Sequence, residues 1–295
     1  MPSLEALIDA SDVEVPLVVT QPDRPAGRGL SPRPSPVALA AEKAGLPIER
    51  PERLRGEPEL SARLRATACD FLVVVAYGRI LPDEMLAVPR LAPVNVHASL
   101  LPRFRGASPI QAAILAGDAM TGVCTMRITS GLDEGPIYAC EEIAIAPDDD
   151  SASLGARLAV EGAALLLRTL GGIAAGTLRE RRQVGTPVYC RPVARCDGEV
   201  NWSLPAGEIE RAARAYRPWP GLFTYLGPAR IKLLDVAPAS ASLDPGSAEI
   251  AGEALVVGCG GRTALEVRTL QREGKRAVSG AELARSVGGP VRFGR

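Results

Sequence analysis

The chain has 295 residues, with 34 Lys/Arg against 34 Asp/Glu and a single histidine. Zero net charge speaks against a protein that holds nucleic acid by bulk charge. One histidine and six scattered cysteines, none in a Cys-x-x-Cys pair, speak against a zinc site. The apolar share of 46% and the length allow a sizeable core, in one large domain or two modest ones, without disulfides or metal.

The first residues lack the basic start and apolar run of a signal peptide. The longest strongly apolar run, residues 71–76, is too short to span a bilayer. The expectation is a cytoplasmic protein with no membrane partner, its cysteines reduced and acting as small buried hydrophobes.

In chain order, residues 2–10 read as a helix. Residues 16–21, rich in β-branched side chains, read as a strand ending at a turn. Residues 35–45 form the next helix, with Ser35 as its cap, Pro36 at its first position and Gly45 as its stop. Residues 58–66 follow as a helix. The run 71–77 is apolar throughout, as a strand buried on both faces should be. Residues 94–98 and 122–128 are further strands around a helix at 107–117. This alternation predicts an α/β fold with a doubly wound, mostly parallel sheet.

Residues 151–176 read as one long helix, with Leu154, Leu158, Leu165 and Leu166 at helical spacing. The charged string Leu178-Arg179-Glu180-Arg181-Arg182-Gln183 lies between Gly176 and Gly185. The expected division is therefore a catalytic domain at 1–177, a linker at 178–186 and a C-terminal domain at 187–295. That last domain shows short β-like runs at 231–236, 253–257 and 264–270, a helix at 206–215 and a loop at 237–248. It predicts a small β-barrel. Residues 186–295 carry 15 Lys/Arg against 11 Asp/Glu, a weak pointer to an anionic partner.

Asn95, His97 and Ser99 alternate at the end of a strand, so their side chains share a face. In an open parallel sheet, ligands bind beyond the carboxyl ends of strands. Asp133 follows in a loop flanked by Gly131 and Gly135. An amide can donate to a developing oxyanion, an imidazole can carry a proton near neutral pH, and a carboxylate can hold that imidazole charged. Taken singly, each of these residues is more often a hydrogen-bonded structural group than a catalytic one.

The longer string Asn95-Val96-His97-Ala98-Ser99-Leu100-Leu101-Pro102, with Gly106 after it, resembles the N-x-H-x-S-L-L-P signature of the formyltetrahydrofolate-dependent formyltransferases. Leu132-Asp133-Glu134-Gly135 is similar to the second element of that family, L-D-x-G. The resemblance implies Asn95, His97 and Asp133 as the catalytic trio and 10-formyltetrahydrofolate as co-substrate, with no metal. It further implies that Ser99, Leu100, Leu101 and Pro102 line the folate site, with Val75, Ala76, Tyr77 and Gly78 receiving the pteridine ring.

The string 20–29, Thr-Gln-Pro-Asp-Arg-Pro-Ala-Gly-Arg-Gly, is similar to a loop of the branch that formylates initiator methionyl-tRNA. It implies Arg24 and Arg28 as tRNA contacts, and Arg33 in place of the lysines common after it. Arg179, Arg181, Arg182, Arg272, Lys275 and Arg276 are either further phosphate contacts or a solvated face. Residues 199–203 and 214–221 resemble the family's accessory barrel, related to OB-folds, which glycinamide ribonucleotide transformylases lack. Trp202 and Trp219 are expected in its core.

The implied activity is formylation of methionyl-initiator tRNA by a monomeric protein. The alternatives are a sugar-nucleotide N-formyltransferase, or an inactive relative that binds folate or tRNA. Family members open with a strand and a Gly-Thr-Pro turn before a helix like residues 2–10. That first strand is expected to be missing here, through a misplaced start. Its sheet neighbours would then carry unpaired backbone groups, at about 1–3 kcal/mol each if buried.

Overall fold

The structure, a computed structural model, describes residues 1–26 and 31–294. The chain divides into two compact units. One comprises Met1–Pro109, Met120–Ala144 and Gly155–Cys190; the other comprises Ile110–Ala119, Ile145–Leu154 and Arg191–Arg295. The string 178–186 thus belongs to the first unit, together with Tyr189–Cys190.

The first unit holds the helices Pro2–Asp9, Pro36–Lys43 and Pro58–Ala66, close to the sequence-based expectations. Ser35 does cap its helix: its Oγ accepts from the Ala38 amide at 3.0 Å. Gly45 then leaves that helix at φ +68°, a conformation that favours glycine.

The sheet is mixed. Phe71–Val75 pairs in parallel with Ala92–His97. Ala92–His97 then pairs antiparallel with Met120–Arg127, which forms a hairpin with Ile137–Ala144. That last strand is missing from the sequence-based reading, because its polar residues Glu141 and Glu142 break the apolar run. The short strands Val18–Val19 and Ile48–Glu49 pair in parallel as a separate sheet.

Phe71–Val75 departs from expectation. Its first four residues are only half-buried and Val75 is exposed. Among the described residues it pairs only with Ala92–His97, so it is an edge strand. A run apolar throughout does not by itself specify neighbours on both sides. By contrast, Ala92 and Val94 are fully buried and pack with Leu166 and Leu170 of the helix Ser151–Ala174.

Two cysteines also depart from expectation. Cys124 and Cys140 stand directly opposite each other across the hairpin and form a disulfide. Sixteen residues separate them, and only the strand register reveals the pairing. Cys69, Cys190, Cys196 and Cys259 are free.

The second unit is built on an antiparallel sheet. Its strands run Leu222–Leu226, Ala229–Ala239, Thr263–Arg272, Ala254–Cys259, Ser247–Ala251 and Val291–Arg292 in space, with Ala277–Ser279 also pairing Thr263–Arg272. The Gly294 amide, just beyond the last strand in that order, donates to the Tyr225 carbonyl in the first at 3.0 Å. The sheet therefore curls toward a barrel. The helix Ala206–Ala215 lies at its expected position, while the loop 237–248 shrinks to 240–246 because both flanking strands extend into it.

Trp202 is 5% exposed, stacks on Phe293 and donates through Nε1 to Thr224 Oγ1. Trp219, expected in the core, is instead 57% exposed. It stands between Pro218 and Pro220 in the turn after the helix. Among the described residues, no helix is long and apolar enough to cross a membrane.

Candidate functional site

The site lies where the parallel strands Phe71–Val75 and Ala92–His97 end side by side, Val75 opposite Val96. Asn95 and His97 occupy alternate positions on the second strand and face the same side as their register partners Met126 and Cys124. Asn95 is half-buried and His97 is buried. Two turns follow. Ser99 lies beyond the strand and is fully buried; its Oγ donates to the Arg103 carbonyl at 2.6 Å, closing the loop that contains Leu100, Leu101 and Pro102. Leu100 and Leu101 pack with Cys124, Met126, Ile137 and Cys140.

His97 Nε2 lies 3.0 Å from the Phe104 carbonyl. A carbonyl only accepts, so Nε2 carries the proton and donates. Nδ1 then faces the Asp133 carboxylate, 3.7 Å from Oδ2. That same oxygen accepts from the Gly106 amide at 2.8 Å. A proton taken up by Nδ1 would therefore form an imidazolium beside a carboxylate already held by a backbone donor.

Gly106 is where the backbone leaves no alternative. It has φ +113°, and a Cβ there would lie 2.2 Å from the Cys190 carbonyl. Tyr189–Cys190 pairs in parallel with Arg105–Gly106, so the chain returns from the segment 178–190 to line the loop that holds Asp133. Burial pushes the Cys190 thiol up from its ordinary value, and the nearby Asp133 charge adds to this. Its Sγ donates to the Phe104 and Arg105 carbonyls.

Asp133 itself has φ +49°, uncommon for a residue other than glycine. Its loop is held by Gln183, whose Nε2 donates to the carbonyls of Asp133 and Gly135, both at 2.8 Å. Gln183 Oε1 in turn accepts from Arg105 Nε at 3.0 Å and Nη2 at 2.7 Å. Gln183 has no signal in the sequence motifs; only the fold brings it to residues about fifty positions earlier.

The other expected residues fall in two places. Val75, Ala76, Tyr77 and Gly78 leave the neighbouring strand end, with Ala76 at φ +48° and Gly78 at φ +75°. The Tyr77 carbonyl accepts from Gln21 Nε2 at 2.7 Å. Val75, Ala76 and Gly78 are exposed, which suits a stretch that offers backbone donors and acceptors to a ligand.

Arg24 and Arg33 stand directly opposite each other on the hairpin Arg24–Ala26/Ser31–Arg33, and both are exposed. Two like charges in such register repel unless an anion lies between or near them. Arg28 lies outside the described residues. Arg181 and Arg182 are exposed, and the Arg181 backbone exchanges two 2.8 Å hydrogen bonds with Ile137. Among the described residues, no group of three or more His, Cys, Asp or Glu gathers as a metal site would require.

Fold and geometry together define an α/β protein with an imidazole–carboxylate pair and an amide at the carboxyl end of one strand. Residues 3–170 match the formyl transferase family and residues 192–288 match the formyl transferase C-terminal domain. The chain belongs to the formyl transferase family.

It is 44% identical over 279 residues to a methionyl-tRNA formyltransferase of Koribacter versatilis, covering 94% of this chain and 89% of the relative. It is 43% identical over 276 residues to that of Thermus thermophilus, covering 93% and 89%. Among solved structures, a sugar 3N-formyl transferase, WlaRD, aligns with a TM-score of 0.66 at 16% identity, over 93% of this chain and 94% of that one. HypX from Aquifex aeolicus, in complex with tetrahydrofolic acid, aligns at 0.58 and 16%, over 83% and 43%. At that identity the two structures share the fold alone.

Proposed function

We propose that this chain transfers the formyl group of 10-formyltetrahydrofolate to the amino group of methionine on initiator tRNA, in support of translation initiation. The carrying observation is the His97–Asp133 pair at the carboxyl edge of the strand that also bears Asn95, in a chain 44% identical to a methionyl-tRNA formyltransferase. A fold likeness to a sugar 3N-formyl transferase at 16% identity supports the sugar-nucleotide alternative less well.

In this reading the acceptor amine supplies the nucleophile, so no Ser or Cys of the protein forms a covalent intermediate. Asn95 donates its amide to the formyl oxygen as charge develops there. His97, its Nε2 engaged by Phe104, uses Nδ1 to receive the proton that the attacking amine sheds. Asp133 stabilises the resulting imidazolium, and the proton then passes to the leaving nitrogen of the folate. Ser99 to Pro102 and Val75 to Gly78 bind that folate at the two adjacent strand ends. Arg24, Arg28 and Arg33 take phosphates of the acceptor stem, with Arg181 and Arg182 adding charge. The reading puts the protein in the cytoplasm, working as a monomer.

The test is a turnover assay with 10-formyltetrahydrofolate and two acceptors, charged initiator methionyl-tRNA and an amino-sugar nucleotide. Formylation of the tRNA alone supports the reading; formylation of the sugar nucleotide alone overturns it.

A further inference from the structure

Gln183 lies in the charged string that the sequence suggests is a linker, yet it is half-buried and bonded at both ends of its amide. Its NH2 group spends both protons on the Asp133 loop, one on the Asp133 carbonyl and one on the Gly135 carbonyl. Its oxygen is taken by two N–H groups of Arg105. Arg105 is only 9% exposed and is placed in turn by Tyr189, through a hydrogen bond of 3.2 Å and a ring contact.

These bonds do more than cover the loop. Asp133 sits at φ +49°, in the left-handed region uncommon outside glycine, and its backbone carbonyl is held there by Gln183. The opposite side of the same residue is fixed by the Gly106 amide on Oδ2. Arg105 and Gly106 are consecutive, so the two restraints share one short strand. Gln183 completes a closed circuit: Arg105 to Gln183, Gln183 to the Asp133 backbone, the Asp133 carboxylate to Gly106. The circuit ends at Asp133 Oδ2, 3.7 Å from His97 Nδ1.

We propose that Gln183 is a positioning residue for formyl transfer, acting through Asp133: it fixes the loop that aims the carboxylate at His97. The proposal rests on the functional reading above. Gln183 touches no substrate in this scheme; its effect is felt where Asp133 meets the imidazole.

Gln183→Glu is the discriminating variant. It keeps the size of the side chain and the acceptor for Arg105, and turns the donor to the two carbonyls into a charged oxygen that repels them. The expected result is a fall in kcat of about ten- to a hundredfold, as for a small misplacement of a catalytic group. The KM values for folate and tRNA should stay within about twofold, because substrate binding is not the affected step. In single-turnover assays with excess enzyme, adding Gln183→Glu to Asp133→Asn should cost less than about threefold more, since residues acting as one unit are not additive.

Gln183→Ala, followed by thermal unfolding, reports separately on stability. A wild-type kcat in folded Gln183→Glu, a rise in KM at unchanged kcat, or a double variant that loses the full product of the single effects would each overturn the proposal. Full activity in Asp133→Asn would instead overturn the reading of the site, and this inference with it. An impaired Asp133→Asn beside an unimpaired Gln183→Glu overturns the positioning role alone.

Discussion

His97 has one ring nitrogen committed to structure and the other free for chemistry. Its Nε2 is engaged by the Phe104 carbonyl and its Nδ1 faces Asp133. Replacing His97 by Gln removes the proton carrier while keeping a donor at the Nε2 position for Phe104, so the loop should stay folded. The expected rate loss is about 10²–10⁴-fold, the usual contribution of a positioned acid–base group, read as kcat in steady-state assays. The exposed Arg24 and Arg33 carry a different expectation. Removing one phosphate contact should lower the slope of log affinity against log salt by about one unit. Binding of charged tRNA to Arg33→Ala across a salt series checks this; an unchanged slope excludes a phosphate contact there. Asn95, His97 and Asp133 are legible in sequence because their neighbours form long, spaced motifs. Gln183 and Arg105 are not, because nothing local distinguishes a glutamine in a charged string from a solvated one. Trp219 is exposed although a large ring suggests burial, because composition alone does not say which face of a turn a side chain takes.

The loop at residues 98–107 and the strand pair Arg105–Gly106/Tyr189–Cys190 form the mechanical part of the site. Gly106→Ala places a methyl group into the Cys190 carbonyl at a backbone angle an alanine resists. The same change displaces the amide that holds Asp133 Oδ2, so stability and activity should fall together. Thermal unfolding and turnover measured on the same preparation check this, and an alanine variant with wild-type values for both would contradict it. Ser35→Ala removes a helix cap that touches none of Asn95, His97 and Asp133, and should cost about 1 kcal/mol of stability with no change in kcat. Helices were the easiest elements to place from sequence, since Ser35, Pro36 and Gly45 mark both ends of one of them. Strands were harder. An apolar run such as residues 71–75 has the same composition at an edge as in the middle of a sheet, and the partner strand decides which it is.

The two units carry their own cores, and the fold class follows from the change of pattern near residue 187. The Cys124–Cys140 pairing belongs to this scale as well, since it depends on strands that neither cysteine's surroundings announce. Thiol titration of the denatured, unreduced protein should find four free cysteines, and reduction should add two. Six thiols before reduction would show that the pair is held as a dithiol. The most direct test of the central claim is the initial rate of formyl-methionyl-tRNA formation from 10-formyltetrahydrofolate, measured for the wild-type chain and for His97→Ala. Product is expected from the wild type, with a rate about 10²–10⁴-fold lower in the variant, as for the loss of a positioned acid–base group. Equal rates in the two proteins would contradict it.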